Sequence, residues 1–547
     1  MTRQFLRRAS SQARPRATCA RFRHSLAAFA ATTVGLLALS TSAYATPIFS
    51  SGFELASGPV DPVDPGDGAT GGPITFQNVT INVIPSGQLF PSSNHFDAMW
   101  TDFNGDGCPD AFILEHSTRA NSRLWVNRCD GSNKFDYVDN NVAHYALPGS
   151  PEGSGWVTLV DHNGDGRQDF WLRNSTTRYV NGTPPGQHLP VFVDKMEGCH
   201  DGDGCLFADI DNDGNLDVIG TDRRATSLHD NRQVLPAASR YSRAVIGDIN
   251  NDGWPDIVHP KLGGYWQNQA GQMVWRDVPA LKGRSYLMTL ADFDNDGWLD
   301  LFTFDVTECN EDNNNGKPAL FRNDRNGGFV DVTAGSGVEA LTFVSCQTNY
   351  GNVLTADLDN DGRQDLVVAG SNPRLAVLQN LGGFKFALVP GTFGSSGYKD
   401  RVAVADYDND GRLDLIKTQS ETNVGIWRNT TASASMRWMK ARVRGPGTNV
   451  DGIGADLRWY RTGSTELVAH LQVQATDQHA QTWLHTGVGE NQRVDLVVRM
   501  PGSRAEYRYN NLDSNQEVIV FANGCLMQNW TPGQGWPMTA PSGCSAP

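Results

Sequence analysis

Short apolar runs and acidic turns alternate through most of this chain. Val353-Leu354-Thr355-Ala356 leads into Asp357-Leu358-Asp359-Asn360-Asp361-Gly362-Arg363-Gln364-Asp365, and Leu366-Val367-Val368-Ala369 leads out. Leu287-Met288-Thr289-Leu290-Ala291 and Leu301-Phe302-Thr303-Phe304 flank a second such turn, Val402-Ala403-Val404-Ala405 and Leu415-Ile416-Lys417 a third. Short runs of this kind, bounded by Gly, Asp and Asn, predict β-strands rather than helices. A further strand often ends in Asn before a Gly turn and an aromatic. Leu124–Asn127 precedes Gly131 and Phe135, Leu320–Asn323 precedes Gly328-Phe329, and Ala376–Asn380 precedes Gly382-Gly383-Phe384. Strand, acidic loop, strand, turn, strand is a meander, the unit of a propeller blade.

The acidic frame, D-x-D/N-x-D-G-x-x-D, occurs seven times, at intervals of 59, 48, 39, 44, 65 and 49 residues. A period of this length predicts one four-stranded antiparallel sheet per repeat. The expectation is an all-β chain, a seven-bladed β-propeller over residues 74–432 followed by a small C-terminal β domain. The residue before each frame is Thr101, Val160, Ala208, Gly247, Ala291, Ala356 or Ala405, mostly small, as strands converging on an axis require. The two longest intervals carry insertions, one from Cys129 to Gly155 and one from Cys309 to Cys346 that contains Glu311-Asp312-Asn313-Asn314-Asn315.

Aligned by column, the frames show what chemistry they hold. Column one is Asp102, Asp161, Asp209, Asp248, Asp292, Asp357 and Asp406. Column three is Asn104, Asn163, Asp211, Asn250, Asp294, Asp359 and Asp408, and column five is Asp106, Asp165, Asp213, Asp252, Asp296, Asp361 and Asp410. Column six is always Gly, and column nine is Asp110, Asp169, Asp217, Asp256, Asp300, Asp365 and Asp414. Carboxylates this crowded repel unless a cation lies among them. Alternately spaced oxygens, then a Gly that reverses the chain, wrap Ca²⁺. Column seven (Cys108, Arg167, Asn215, Trp254, Trp298, Arg363, Arg412) varies too much for a side-chain ligand but supplies a backbone carbonyl everywhere. An EF-hand is excluded, because position twelve is never acidic and β-forming runs replace the exiting helix. Mg²⁺ prefers to keep its waters, and Zn²⁺ would want His or thiolate. Up to seven Ca²⁺ ions, mainly bracing the fold, are the expected cofactors.

The ends differ from the middle. Residues 1–24 carry seven Arg and no acid, an apolar stretch runs from Leu26 to Leu39, and Ala43-Tyr44-Ala45 follows. That is the layout of a signal peptide cut after Ala45, with an apolar core too short and too rich in Ala and Thr for a membrane span. The expected location is secreted, cell-surface or periplasmic. Residues 46–73, with their Pro-, Gly- and Asp-rich run from Asp61 to Gly68, read as a flexible tether, and Ile74–Thr80 reads as a strand. No later stretch is long and apolar enough to span a bilayer. Beyond the leader, 38 basic residues face 60 acidic ones, of which 25 sit in the columns above. The excess acidity is therefore mostly loop chemistry, and it argues against a nucleic-acid partner, which calls for basic stripes. Eight of the nine Cys lie beyond the leader. Sequence neighbours suggest Cys108–Cys129, Cys199–Cys205, Cys309–Cys346 and Cys525–Cys544 among the many pairings open to an exported chain.

On these columns the chain resembles the FG-GAP/VCBS repeat family, the calcium-bearing propeller repeats also found in integrin α-subunits, over about residues 97–430. The resemblance implies ligands at columns one, three, five, seven and nine, with weaker sites where column three is Asn. After Met436 the frame disappears, and Val443, Leu457, Leu467-Val468, Leu471–Val473, Val494–Val498 and Val518–Phe521 are strand candidates for a domain over 433–524. There Gly452-Ile453-Gly454-Ala455, His485-Thr486-Gly487-Val488-Gly489 and Pro501-Gly502 resemble the ASPIC/UnbV domain that follows such repeats in cartilage-acidic-protein-like chains. Met500 stands where that family usually has Trp. Residues 525–547 are a Pro/Gly-rich tail. No G-x-S-x-G, H-E-x-x-H or Cys–His setting is present, and His485 reads as a packed rather than a catalytic residue. The chain thus reads as a non-catalytic module for a protein or glycan ligand, with Trp254 and Trp298 as candidate contacts. The alternative is an extracellular polysaccharide-active lyase or hydrolase whose carboxylate pair hides among the Asp residues. Turnover of a polysaccharide beside a blank glycan array would favour it.

Overall fold

A computed structural model of the chain describes residues 71–84, 95–115, 123–138, 157–172, 177–184, 192–197, 206–219, 225–227, 233–235, 244–283, 287–305, 315–341, 344–345, 351–370, 375–391, 393, 401–419, 423–432, 435–476, 479–480, 483–502, 504–533, 535–544 and 546–547. The expected leader, the tether up to residue 70, the pairs Cys199–Cys205 and Cys309–Cys346 and most of both insertions lie outside the described residues. The fold is all-β. Among the described residues the exceptions are one helical turn, Thr80–Val83, and three short 3₁₀ turns.

Seven antiparallel sheets follow the seven frames, each strand hydrogen-bonded to the next in sequence. The first is His95–Thr101, Asp110–Glu115, Arg123–Asn127 and Phe135–Val138; the sixth is Val353–Ala356, Asp365–Ala369, Leu375–Asn380 and Phe386–Leu388. In every sheet the residue before the frame pairs with the column-nine Asp, from Thr101 with Asp110 to Ala405 with Asp414. The frame is therefore the same hairpin loop seven times, its ends fixed by one strand pair. The second sheet contains a third strand, Thr177–Asn181, which the sequence marks poorly and whose pairing with Phe192–Glu197 shifts register at Val180/Asn181. In the third sheet every strand of the meander has three residues, and the third strand carries a register shift at Ala225/Thr226.

Apolar side chains join each sheet to the next. Phe112 and Phe170 meet edge to face at 5.1 Å between the first and second, and Trp171 and Phe207 do the same between the second and third. Shared clusters continue through the third and fourth, fourth and fifth, fifth and sixth, and sixth and seventh sheets. The seventh then packs on the first, where Trp100 stacks on Tyr407 with rings 5.7 Å apart and 5° from parallel. Such a pair adds about 1 kcal/mol beyond its buried area. The first described strand, Phe76–Asn78, pairs with Asn423–Asn429 and completes the seventh sheet; it is shorter than the Ile74–Thr80 run because the chain turns helical at Thr80. The series of contacts thus returns to its start.

After the seventh sheet the chain builds two more, which face one another across a common core. One holds Arg437–Arg444, Leu484–Gly489, Gln516–Phe521 and Leu526–Gln528; the other holds Asp456–Arg461, Leu467–Gln472, Arg493–Arg499 and Glu506–Asp513. Met439, Ala441 and Val443 alternate into this core beside Leu457, Trp459, Leu496 and Val518. Their neighbours Lys440, Arg442 and Arg444 are also buried, on the opposite face. The strand candidates read from the sequence all appear. Glu506–Asp513, too polar to stand out, does not figure among them because it is half exposed.

Candidate metal loops

Each frame folds around the carboxylate of column one. Its Oδ1 accepts the column-five N–H at 2.9–3.1 Å and its Oδ2 the N–H of the column-six Gly at 2.5–3.1 Å, in all seven loops. The column-five Oδ1 accepts the column-seven N–H at 2.8–3.1 Å. These bonds need two left-handed residues. Column six supplies φ of +83° to +92° with Gly, and column four supplies +53° to +74° with Gly105, Gly164, Asn212, Asn251, Asn295, Asn360 and Asn409. Gly and Asn enter that region most readily. Column four is thus a fixed position that column-by-column reading for ligands passes over.

The loops divide by column three. In loops one, two and four it is Asn, whose Nδ2 donates to the column-five Oδ2: Asn104 to Asp106 at 2.9 Å, Asn163 to Asp165 at 3.2 Å, Asn250 to Asp252 at 2.9 Å. In loops five, six and seven it is Asp. One oxygen of each is held from the third strand, by Arg322 on Asp294 (3.1 Å), Gln379 on Asp359 (2.6 Å) and Arg428 on Asp408 (2.6 Å). The other, Oδ1, is buried and has no hydrogen-bond partner in any of the three. Acidic oxygens lie within 4.8 Å of one another in four loops: Asp209/Asp211/Asp217, Asp292/Asp294/Asp296, Asp357/Asp359/Asp361 and Asp406/Asp408/Asp414. Asp106 forms a similar cluster with Cys108 and Cys129, but those sulfurs are joined in a disulfide and offer no thiolate. Cys525–Cys544 also forms, so both described pairs match the sequence expectation.

Burial first, then the neighbouring carboxylates, pushes Asp294 and Asp361 up to about 7 and raises Asp357 and Asp365 well above the usual carboxylate range. A hard divalent cation would relieve that repulsion and give the orphaned Oδ1 atoms a partner. The donor set, all oxygen, fits Ca²⁺. Asp248 rises less, to about 6, because the Arg499 guanidinium opposes burial.

A family model for the FG-GAP-like repeat matches residues 102–172, 292–368 and 357–416. The chain carries FG-GAP-like repeats. Cartilage acidic protein 1 of Mus musculus is 26% identical over 303 residues, 54% of this chain and 43% of that protein. The chain therefore spans less than half the length of that relative. Among solved structures, an Agrocybe aegerita lectin described as recognising non-reducing terminal N-acetylglucosamine is 16% identical, with a TM-score of 0.29 over 73% of this chain and 87% of its own. The V. cholerae biofilm matrix protein Bap1 is 13% identical, with a TM-score of 0.31 over 83% of this chain and 72% of its own.

Two sets of Asn residues bind the FG-GAP loops into a series. The Asn that ends the third strand donates its N–H to the column-nine Oδ1 at 2.7–2.8 Å in six repeats. Its Nδ2 reaches the column-two carbonyl of the preceding sheet, so Asn380 holds Phe293 at 3.0 Å and Asn127 of the first repeat holds Tyr407 of the seventh at 2.8 Å. Column-four Asn points the other way: Asn251, Asn295 and Asn360 donate to the column-six carbonyls of Gly297, Gly362 and Gly411.

The C-terminal residues cover this face. A Cβ added to any column-six Gly meets one of them: Trp530, Met538, Pro446, Arg504, Leu467, Val468 or Trp438, in loop order. Trp254 lies half-buried with the Arg504 guanidinium 5.5 Å from its ring centroid, and Trp298 is half-buried. The His485-Thr486-Gly487 run docks on loop six. The Gly487 N–H donates to Asp357 at 2.7 Å, and a Cβ there would sit 2.0 Å from the Asn360 backbone. Burial and nearby Lys440 push His485 down to about 3, and its neutral Nε2–H donates to the Asn360 Oδ1 at 3.1 Å. His470 bridges Asp292 (3.2 Å) and Asp456 (2.8 Å), which outweigh burial and hold it up at about 9. The basic face of Arg437–Arg444 completes the match: Lys440 pairs with Glu517 at 2.5 Å and Arg442 with Asp451 at 3.2 Å, beside the acidic loops.

Proposed function

We propose that this chain is an exported interaction module in which Ca²⁺, held by the FG-GAP loops, braces a propeller that binds a protein or carbohydrate partner. Columns one, three, five and nine would supply carboxylate or amide oxygens, and column seven a backbone carbonyl. The observation that carries this reading is the set of buried Oδ1 atoms of Asp294, Asp359 and Asp408, which have no hydrogen-bond partner. A buried acceptor left open among crowded carboxylates is costly, and a cation would satisfy it. Export is supported by the Cys108–Cys129 and Cys525–Cys544 disulfides, which belong to oxidising compartments. Among the described residues no helix is long and apolar enough to cross a membrane. The division into a repeat region over 74–432, a β domain over 433–524 and a tail is kept with its last boundary moved, because Leu526–Gln528 pairs with Gln516–Phe521 in the domain's own sheet. The last two act as a lid on the loops, so the partner surface lies away from the loop face.

Thermal melting with and without a calcium chelator tests the reading. A ligand bound to the native state alone adds about 2.7 kcal/mol per site at a hundredfold excess over Kd. Several sites together should raise Tm by on the order of 10 °C. An unchanged melting curve in chelator would remove calcium from the account.

A further inference from the structure

The small residues that precede the frames leave room among the sheets, and the C-terminal lid covers it. A cavity of about 130 Å³ lies where the first strands of sheets five, six and seven, Thr289–Ala291, Val353–Ala356 and Val402–Ala405, meet the sandwich. Ala291, Ala356 and Ala405 line it from the sheets, and Leu471 and Trp483 line it from the lid. Thr355, Val404 and Leu471 stay half-exposed among buried neighbours because they border this space. Column eight, which carries no ligand, reaches it too: Leu299 in loop five, Gln364 in loop six and Leu413 in loop seven. Gln168, the same column in loop two, is held by the Thr101 hydroxyl at 3.4 Å.

The walls are mostly apolar, and the charged groups among them are already met. Lys440 pairs with Glu517 at 2.5 Å, His470 lies between Asp292 and Asp456, and Asp406 accepts the Asp410 and Gly411 N–H groups of its own loop. The open groups are neutral. Gln364 Nε2 and the indole N–H groups of Trp100 and Trp483, all on lining residues, are buried and have no acceptor among the described residues. A buried donor without an acceptor is costly, so an occupant that brings an oxygen supplies what the walls lack. The volume limits its size, since a cavity of roughly 150 Å³ takes one benzene ring. A hexose, with about twice as many heavy atoms as benzene, is too large. An ion would enter an apolar space whose charges are already paired, at a large desolvation cost.

We propose that this cavity binds a small neutral molecule, about the size of a single six-membered ring, with an apolar body and a carbonyl-type oxygen that accepts from Gln364. Neither the cavity nor column eight belongs to the metal columns, so the inference stands apart from the calcium reading. The test is titration of the full chain with two probes of one shape, cyclohexanone and methylenecyclohexane, followed by ligand-observed NMR. Cyclohexanone should saturate one site per chain with a Kd of about 1 mM or lower. Gln364→Leu copies column eight of loops five and seven and should keep the fold. It should weaken cyclohexanone about tenfold and leave methylenecyclohexane unchanged or tighter, because only the ketone loses a hydrogen bond. Ala356→Val copies Val160 of the second repeat and should weaken both probes by narrowing the space. No saturation by cyclohexanone in the parent chain would overturn the inference, since the cavity would then hold water alone. An equal response of the two probes to Gln364→Leu would overturn it as well, and so would probes that ignore Ala356→Val.

Discussion

The fourth and sixth loops share every fixed column but one, yet they are finished by different means. In loop four the C-terminal sandwich delivers a cation: Arg499 lies on Asp248, and Arg458 reaches the Asn251 side chain at 3.0 Å. In loop six the same sandwich delivers only neutral donors, the Gly487 N–H on Asp357 and the His485 ring on Asn360. Loop six has the extra carboxylate, Asp359, and receives less charge from the lid. The acidic loops and their lid are therefore matched site by site. The open oxygen moves with the column: it is Asp256 Oδ2 in loop four and Asp359 Oδ1 in loop six.

The largest effect expected from breaking this contrast comes from Arg499→Ala. It strands Asp248 beside Asp456 in a nearly buried setting, and loss of one partner from a buried pair costs about 3 kcal/mol or more. Denaturant unfolding should show that loss equally in chelator and in saturating calcium. If calcium restored the stability, an ion would be able to enter loop four, and the distinction between the two loops would be one of degree.

Asn380→Ala should cost less, about 2 kcal/mol, since it strips a donor from two buried carbonyls, Phe293 and Gln364, while leaving its own N–H on Asp365. The Asn cross-links run through amide and acid loops alike, so the matching change at Asn268, which holds Ile210 and Pro255, should cost a similar amount. A large calcium dependence for one and not the other would mean the cross-links serve the metal rather than the ring.

How much of this could be read from the chain follows from what repeats. The acidic columns recur with fixed spacing, and so the sheets, their number and the Asp-lined loops were legible. The Asn at the end of the third strand was visible too, but its partner lies in the preceding sheet, about 70 to 90 residues away for Asn181 and Asn380, and no local spacing points there. The lid was the least legible. Each column-six Gly faces a different C-terminal residue, from Trp530 to Trp438, so no shared residue type marks the contact. Arg437–Arg444 did carry a sign, the strict alternation of Met439, Ala441 and Val443 with Lys440, Arg442 and Arg444, which gives the strand one apolar and one basic face.

The smallest effect, and the finest discrimination, lies at column seven. Arg363 Nη2 pairs with Asp361, and its Nε donates to the Asn380 carbonyl at 3.1 Å. In loop four the same column is Trp254, which carries no charge to the frame. With an ion in loop six, Arg363 organises the loop but is also repelled by the metal, and the two effects oppose each other. Arg363→Ala should then cost well below the roughly 3 kcal/mol of a broken buried pair in calcium, because the metal's repulsion of the guanidinium offsets much of what the pair contributes. In chelator the balance changes, because the guanidinium then faces four carboxylates with no metal beside it, and the loss should grow severalfold. Trp254→Ala should show no such calcium dependence. Melting curves of the two variants with and without chelator measure the difference directly. An Arg363→Ala loss that stayed the same in both conditions would place the ion somewhere other than loop six.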